Sequence, residues 1–205
     1  MAKALESTKR KRFSMIRSFH FADLLTIANG CCGVGAVFHA MRYLSQDDNR
    51  QIIVAILLIP LALVFDVLDG RVARWRHKAS PMGRELDSLA DVISFGVAPA
   101  AIAYAAGLTT GLDQAMLIYF VACGVSRLAR YNITAERLAD DAGKVRYFEG
   151  TPIPSSLVPL GLLLIAAYAN WLVPLEVFGL RFHGVTLLFV ASGSLMISTV
   201  RIPKP

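Results

Sequence analysis

Asp66 and Asp69 stand i, i+3, and Asp87 and Asp91 stand i, i+4. On a helix either spacing sets both carboxylates on one face, about one turn apart. The connection from Gly70 to Leu86, bent by Gly70, Pro81 and Gly83, can fold the two faces together. Four carboxylates gathered at low dielectric repel one another, so either several are protonated or cations are bound. Two divalent ions carry the matching charge. A donor set made only of oxygen points to Mg²⁺ or Mn²⁺, not to Zn²⁺. Mg²⁺ usually joins a few carboxylates to substrate phosphates, so a phosphate-containing ligand is the natural partner. Arg74 can hold a phosphate in its fork of donors, and Gly70 lets the backbone come close to it. The competing reading makes the acids interfacial charges paired to Arg71, Arg74 or Arg84. Four of them, on two segments and one side, fit that poorly, because ionisable groups at membrane depth are functional by default.

The elements that must carry these acids are apolar. Of 205 residues, 55% are hydrophobic and 18% charged, and the mean hydropathy is +0.53. A soluble globule carries about 25% charged residues. The composition excludes a disordered chain, a disulfide scaffold and most water-soluble enzymes. Cys31, Cys32 and Cys123 all lie in apolar segments without metal-site spacing, and read as small hydrophobes. Six stretches approach the ~20 apolar residues that a bilayer requires: 21–44, 51–69, 86–107, 111–133, 155–175 and 183–200. The expected fold is therefore all-α and polytopic, with a basic amphipathic arm over 1–20 and one transmembrane domain over 21–205. No secretory cleavage site, internal repeat or low-complexity segment is found.

Basic residues orient the spans. Of 21 Lys and Arg, 18 fall in the N-terminal arm, the loops after the second and fourth spans, and the C-terminus. Arg42, Arg50 and Arg181 lie on the other side. Both termini and both acidic pairs are thereby assigned to the cytoplasm, and the net charge of +6 needs no nucleic acid to explain it. KRKRFSMIRSFH, residues 9–20, reads either as an amphipathic helix on an anionic leaflet or as a plain positive-inside anchor.

The pattern Asp66-x2-Asp69-Gly70-x2-Ala73-Arg74-x8-Gly83-x3-Asp87-x3-Asp91 resembles the signature of the CDP-alcohol phosphotransferases without departure. Ala28-Asn29-Gly30, GRELDSLADVISFGVAPA, Arg127-Leu128-Ala129-Arg130-Tyr131-Asn132, FEGTPIP (148–154) and the closing RIPKP resemble the branch of that family whose acceptor is L-serine. The resemblance implies that Asp66, Asp69, Asp87 and Asp91 hold two divalent cations, Mg²⁺ or Mn²⁺, and that Asp91 is also the base. It implies that Gly70, Arg74 and Ser80, within a frame that includes Ala73 and Gly83, contact the head group of CDP-diacylglycerol. It further implies a homodimer whose sites open to the cytoplasm and to membrane lipid, with CMP as the leaving product. The host membrane would be the endoplasmic reticulum in a eukaryote or the inner membrane in a bacterium.

A zwitterionic acceptor calls for a cation. Arg130 first, and Arg127 second, spaced i, i+3 beside Tyr131, are the candidates for binding the serine carboxylate or the lipid phosphate. Positive-inside snorkelling is their alternative role. Asn29, in mid-span, is expected to bond either the cytidine or a neighbouring helix. Glu149 reads equally as an arginine partner or an exposed loop acid, and the four histidines are assigned no role. Gly96 and Pro99 mark a bend in the third span. Glycerol 3-phosphate or an inositol phosphate as acceptor, and a cation-coupled transporter, are the competing functions. Against the transporter, no half of the chain repeats and both acidic pairs lie at one interface.

Overall fold

The computed structural model describes residues 21–75, 81–139, 147–177 and 179–203. The basic arm, Ser80 and the chain from 140 to 146 lie outside the described residues. The described chain is predominantly helical. Helix α1 spans Phe21–Gln46 and α2 spans Asn49–Trp75. Helix α3 covers Pro81–Asp91, a π-helical turn Val92–Val97 and α4 Ala98–Ala105. Helix α5 is Gly111–Ala139, and a 3-10 turn, Ile153–Ser156, leads into α6, Leu157–Tyr168. Helix α7 is Thr186–Ile197.

Four stretches are long and apolar enough to cross a bilayer: Ala22–Gln46, Asn49–Val72, Met82–Ala105 and Gly111–Thr134. They make the chain a helical, membrane-embedded protein. The fifth and sixth expected spans form shorter apolar helices, Ile153–Tyr168 and Thr186–Ile197. Helix α6 stops early because the chain turns at Asn170, whose φ is 55°. At 1.5 Å per residue the 12 residues of α7 reach about 18 Å, against a hydrocarbon core of ~30 Å.

The expectation of a purely helical chain also needs correction. Strand β1, Tyr147–Glu149, pairs antiparallel with β4, Arg201–Pro203, while β2, Pro174–Val177, pairs with β3, Leu180–His183. The first ribbon joins FEGTPIP to RIPKP, with Glu149 opposite Arg201 in register. Hydrophobic periodicity misses such ribbons because two short strands carry too few residues to show an alternation.

Helix starts follow local chemistry. Asp48 Oδ1 accepts from the Arg50 N–H at 3.0 Å and caps α2, and these bonds hold its carboxyl below the usual range. Thr110 and Asp113 cap α5 reciprocally: Asp113 N–H donates to Thr110 Oγ1 and Thr110 N–H to Asp113 Oδ2, both at 3.2 Å.

Small residues let the helices approach closely, as lipid-embedded interfaces favour. Ala36 and Ala40 of α1 are buried with Ala55, Ile59 and Ala62 of α2. Among the helical glycines, the tightest approach is Gly33 against the π-helical turn, where an added Cβ would lie 2.7 Å from Ser94 Cα. Gly96 and Pro99 do not simply bend the third span. Pro99 has no N–H for the i→i−4 ladder, and the preceding turn widens so that Ala98 N–H reaches Ile93 O, five residues back. Helix α7 packs on α5 through Phe120 and Phe189, edge to face at 5.4 Å. Ile153 is buried against this assembly, its Cδ1 3.0 Å from where a Cβ on Gly124 would sit.

Candidate active site

Helices α2 and α3 bring the two acidic faces toward each other. One carboxylate oxygen each from Asp66, Asp69 and Asp87 lies within 4.8 Å of the others. Asp91, one helical turn and so about 6 Å farther along α3, is not a member of that trio. It stays within electrostatic reach of Asp66, Asp87 and Asp69. The structure thus divides the expected four-acid set into three converging oxygens and one neighbour.

Neutral donors on α1 and α2 reach these acids. Thr26 Oγ1 donates to Asp69 Oδ2 at 2.6 Å, and the Gly70 N–H also bonds Asp69. Asn29, fully buried, donates from Nδ2 to Asp91 Oδ1 at 3.0 Å. Of the two roles foreseen for Asn29, the structure therefore displays the bond to a neighbouring helix. Asp87 Oδ1 is buried with no hydrogen-bond partner among the described residues. Converging, desolvated, acceptor-only oxygens with an orphaned lone pair suit a hard divalent cation. The site residues thus fit the metal chemistry expected of them.

Next to the trio, a Cβ added at Gly70 would meet no atom of the described residues within 4 Å. Ala73 and Arg74 lie in the last turns of α2, but their side chains are outside the described set, as is Ser80. Gly83, in the first turn of α3, is half-buried.

Helix α5 supplies the cations. Arg127 is 9% exposed, lies 5.3 Å over the Tyr131 ring, and is within electrostatic reach of Asp91. Arg130 instead turns to α7, donating to Ile197 O at 3.2 Å and Ser198 O at 3.3 Å. Its other surroundings form a cavity of about 400 Å³ lined by Tyr119, Ala122, Cys123, Ser126 and Ile197. Asn132 ties α5 to α3, exchanging hydrogen bonds with Ser88 at 3.1 and 3.3 Å. The end of the RLARYN segment, on α5, is thus tied to α3, the helix that carries Asp87 and Asp91.

A model of the CDP-alcohol phosphatidyltransferase family matches residues 19–191. The chain belongs to that family. Among curated CDP-alcohol phosphatidyltransferases, it is 44% identical over 208 aligned residues to the CDP-diacylglycerol–serine O-phosphatidyltransferase of Saccharomyces cerevisiae, covering 94% of this chain and 74% of the relative. An enzyme of the same name from Helicobacter pylori is 37% identical over 188 residues, covering 90% and 72%. One from Mycobacterium leprae is 37% identical over 143 residues, covering 69% and 45%.

Sequence reasoning missed part of what this family member places around its acids. Asp23 and Thr26, on α1, are both buried, and Asp23 acts electrostatically on Asp69. Their signal was faint: polar residues at i, i+3 and i+6 leading to Asn29, on the face that also carries Gly33. A second polar cluster, at the start of α5, was also missed. Asp113, 0% exposed, accepts from Thr186 Oγ1 at 2.6 Å and from the His183 N–H at 2.9 Å. It also pairs with His183 Nδ1 at 2.7 Å and accepts from Thr110 Oγ1 at 2.7 Å. His183, assigned no role from sequence, thus pins the β2–β3 ribbon to α5.

Proposed function

We propose that this chain transfers the phosphatidyl group of CDP-diacylglycerol to the hydroxyl of L-serine, giving phosphatidylserine and CMP. The observation that carries the reading is the convergence of Asp66, Asp69 and Asp87 oxygens within 4.8 Å, with Asp91 beside them. The activity for which the relatives at 44% and 37% identity are named supports L-serine as the acceptor. Asp66, Asp69 and Asp87, with Asp91 adjoining, would hold two divalent cations, Mg²⁺ or Mn²⁺. When bound, these ions neutralise the pyrophosphate and stabilise the departing CMP.

The chain's own groups do the rest. Arg74, Gly70 and Ser80, framed by Ala73 and Gly83, receive the CDP head group, and the space beside Gly70, free of described atoms, supports this. Asn29 engages Asp91 Oδ1, which leaves Oδ2 to accept the serine hydroxyl proton. The serine oxygen then bonds to the β-phosphorus as the bond from that phosphorus to CMP breaks. The proposed transfer is direct, from the nucleotide-activated lipid to the acceptor without a phosphatidyl-enzyme. Arg127, buried within electrostatic reach of Asp91, offers the cation for the serine carboxylate, with Tyr131 supporting its guanidinium. Arg130, lining the cavity against α7, is the candidate for the lipid phosphate. Holding both reactants on one cluster makes positioning and charge neutralisation the main sources of rate.

The protein is proposed to work as a homodimer with six membrane crossings. The biased distribution of Lys and Arg supports a site on the cytoplasmic side, in the endoplasmic reticulum or the bacterial inner membrane according to host. The deciding experiment supplies purified protein with CDP-diacylglycerol and a divalent metal, then offers serine, glycerol 3-phosphate or inositol phosphate in turn. CMP release that depends on serine is expected. Release with another acceptor alone redirects the acceptor assignment, and no release with any of them overturns the transferase reading.

A further inference from the structure

Helix α1 carries none of the signature acids, yet one of its faces touches both pairs. Thr26, Asn29 and Gly33 are spaced i, i+3 and i+7 and so share that face. Thr26 Oγ1 has one proton and two acceptors in reach, Asp69 Oδ2 at 2.6 Å and Ala22 O at 3.2 Å. The shorter, charge-assisted bond to Asp69 takes it. Asn29 turns its amide nitrogen to Asp91 because a carboxylate only accepts when ionised. In both pairs, then, α1 grips the second acid. The first acids, Asp66 and Asp87, are left to converge with Asp69, and Asp87 Oδ1 has no donor among the described residues.

The register of this grip is built into the packing. Ser94 Oγ donates to Asn29 O at 2.8 Å, locking α1 to the π-helical turn directly after Asp91. Gly33 permits that contact, and Gly30 stands against Ala90, 3.5 Å from its Cβ for an added methyl.

We propose that Thr26 and Asn29 are positioning residues: Thr26 orients Asp69 toward the metals, and Asn29 orients Asp91 toward the acceptor hydroxyl. The inference rests on the metal-dependent transfer proposed above. An acid oriented by an outer partner binds metal more tightly, and loss of such a partner typically costs about 10–100-fold in affinity. Orientation of a base shows instead in turnover, with substrate affinity little changed.

The test uses the full chain purified in detergent, with Mn²⁺ binding read by electron paramagnetic resonance without substrate. Thr26→Val, equal in shape but without the hydroxyl, is expected to weaken Mn²⁺ binding by about 10–100-fold, whereas Thr26→Ser binds like the unaltered protein. Asn29→Leu is expected to lower kcat by about tenfold or more while the KM for CDP-diacylglycerol holds within about threefold. Should Asn29→Leu not fold, Asn29→Ser with its retained donor and the Thr26 pair decide the matter. Unchanged Mn²⁺ binding in Thr26→Val, or equal weakening in Thr26→Ser, overturns the inference. Asp87→Asn is the reference: if it too binds Mn²⁺ unaltered, the metal reading falls, and this inference with it.

Discussion

Alanine placed at Gly33 and at Gly30, one turn apart on α1, should have opposite effects. At Gly33 the new Cβ would lie 2.6 Å from Ser94 Oγ, 2.7 Å from Ser94 Cα and 2.9 Å from Ser94 N. Two of those atoms are backbone, so no rotamer change relieves the clash, and α1 must separate from the π-helical turn. Overpacking of this kind costs about 1–3 kcal/mol. Losing the bond from Ser94 to Asn29 O adds about 1 kcal/mol. The helix gains back about 0.8–1 kcal/mol because alanine replaces glycine. The net is a destabilisation of about 1–3 kcal/mol. At Gly30 the nearest atom is Ala90 Cβ at 3.5 Å, an ordinary contact, so Gly30→Ala keeps the propensity gain and is neutral or stabilising. Function should track geometry: Gly33 lies one turn from Asn29, and misplacing a reacting group by about 1 Å costs on the order of 100-fold in rate. Thermal unfolding in detergent and the rate of serine-dependent CMP release read both effects. Equal melting temperatures and equal turnover for the two variants would refute the claim that the Gly33 contact sets the position of Asp91.

Other outcomes follow from the same geometry. Asp113→Asn keeps the shape but puts an amide NH₂ where one acceptor oxygen was, among donors from His183, Thr186 and Thr110; a loss of about 3 kcal/mol is expected in thermal unfolding. Its serine KM should not change, since Asp113 lies about 21 Å along α5 from Arg127; a raised KM would show that the two ends are coupled. Arg127→Gln should raise the serine KM at least tenfold while leaving the KM for CDP-diacylglycerol within about twofold, because a charge-assisted bond to the acceptor is worth about 1.5–3 kcal/mol. Unaltered serine kinetics would remove Arg127 from the acceptor site. Treatment with a chelator should abolish CMP release, and either Mg²⁺ or Mn²⁺ should restore it. Activity that survives chelation would leave the carboxylate trio without its proposed role.

The positions of the acids were legible in the sequence because helical spacing is a local property: i, i+3 and i, i+4 place two carboxylates on one face wherever the helix goes. Hydropathy likewise exposed the four long apolar helices, since a stretch that must satisfy its backbone inside lipid has to be helical. The short ribbons, the early end of α6 and the π-helical turn were not legible, because each depends on a contact or a missing donor a few residues wide. The same limit hid the site's inner wall. Thr26 and Asn29 lie 43 and 62 residues from the carboxylates they hold, and polar residues in an apolar span read alike whether they bond a cytidine, a carboxylate or a carbonyl. Arg127 and Arg130, indistinguishable by spacing, were separated by packing alone: one is buried within electrostatic reach of Asp91, and the other closes the end of α7. The residue types and their periods settled which chemistry is available, because those act over one helical turn. Which carboxylate oxygens converge and which arginine lies within electrostatic reach of Asp91 were decided by helix-to-helix contact, since orientation is set by the neighbour across the interface.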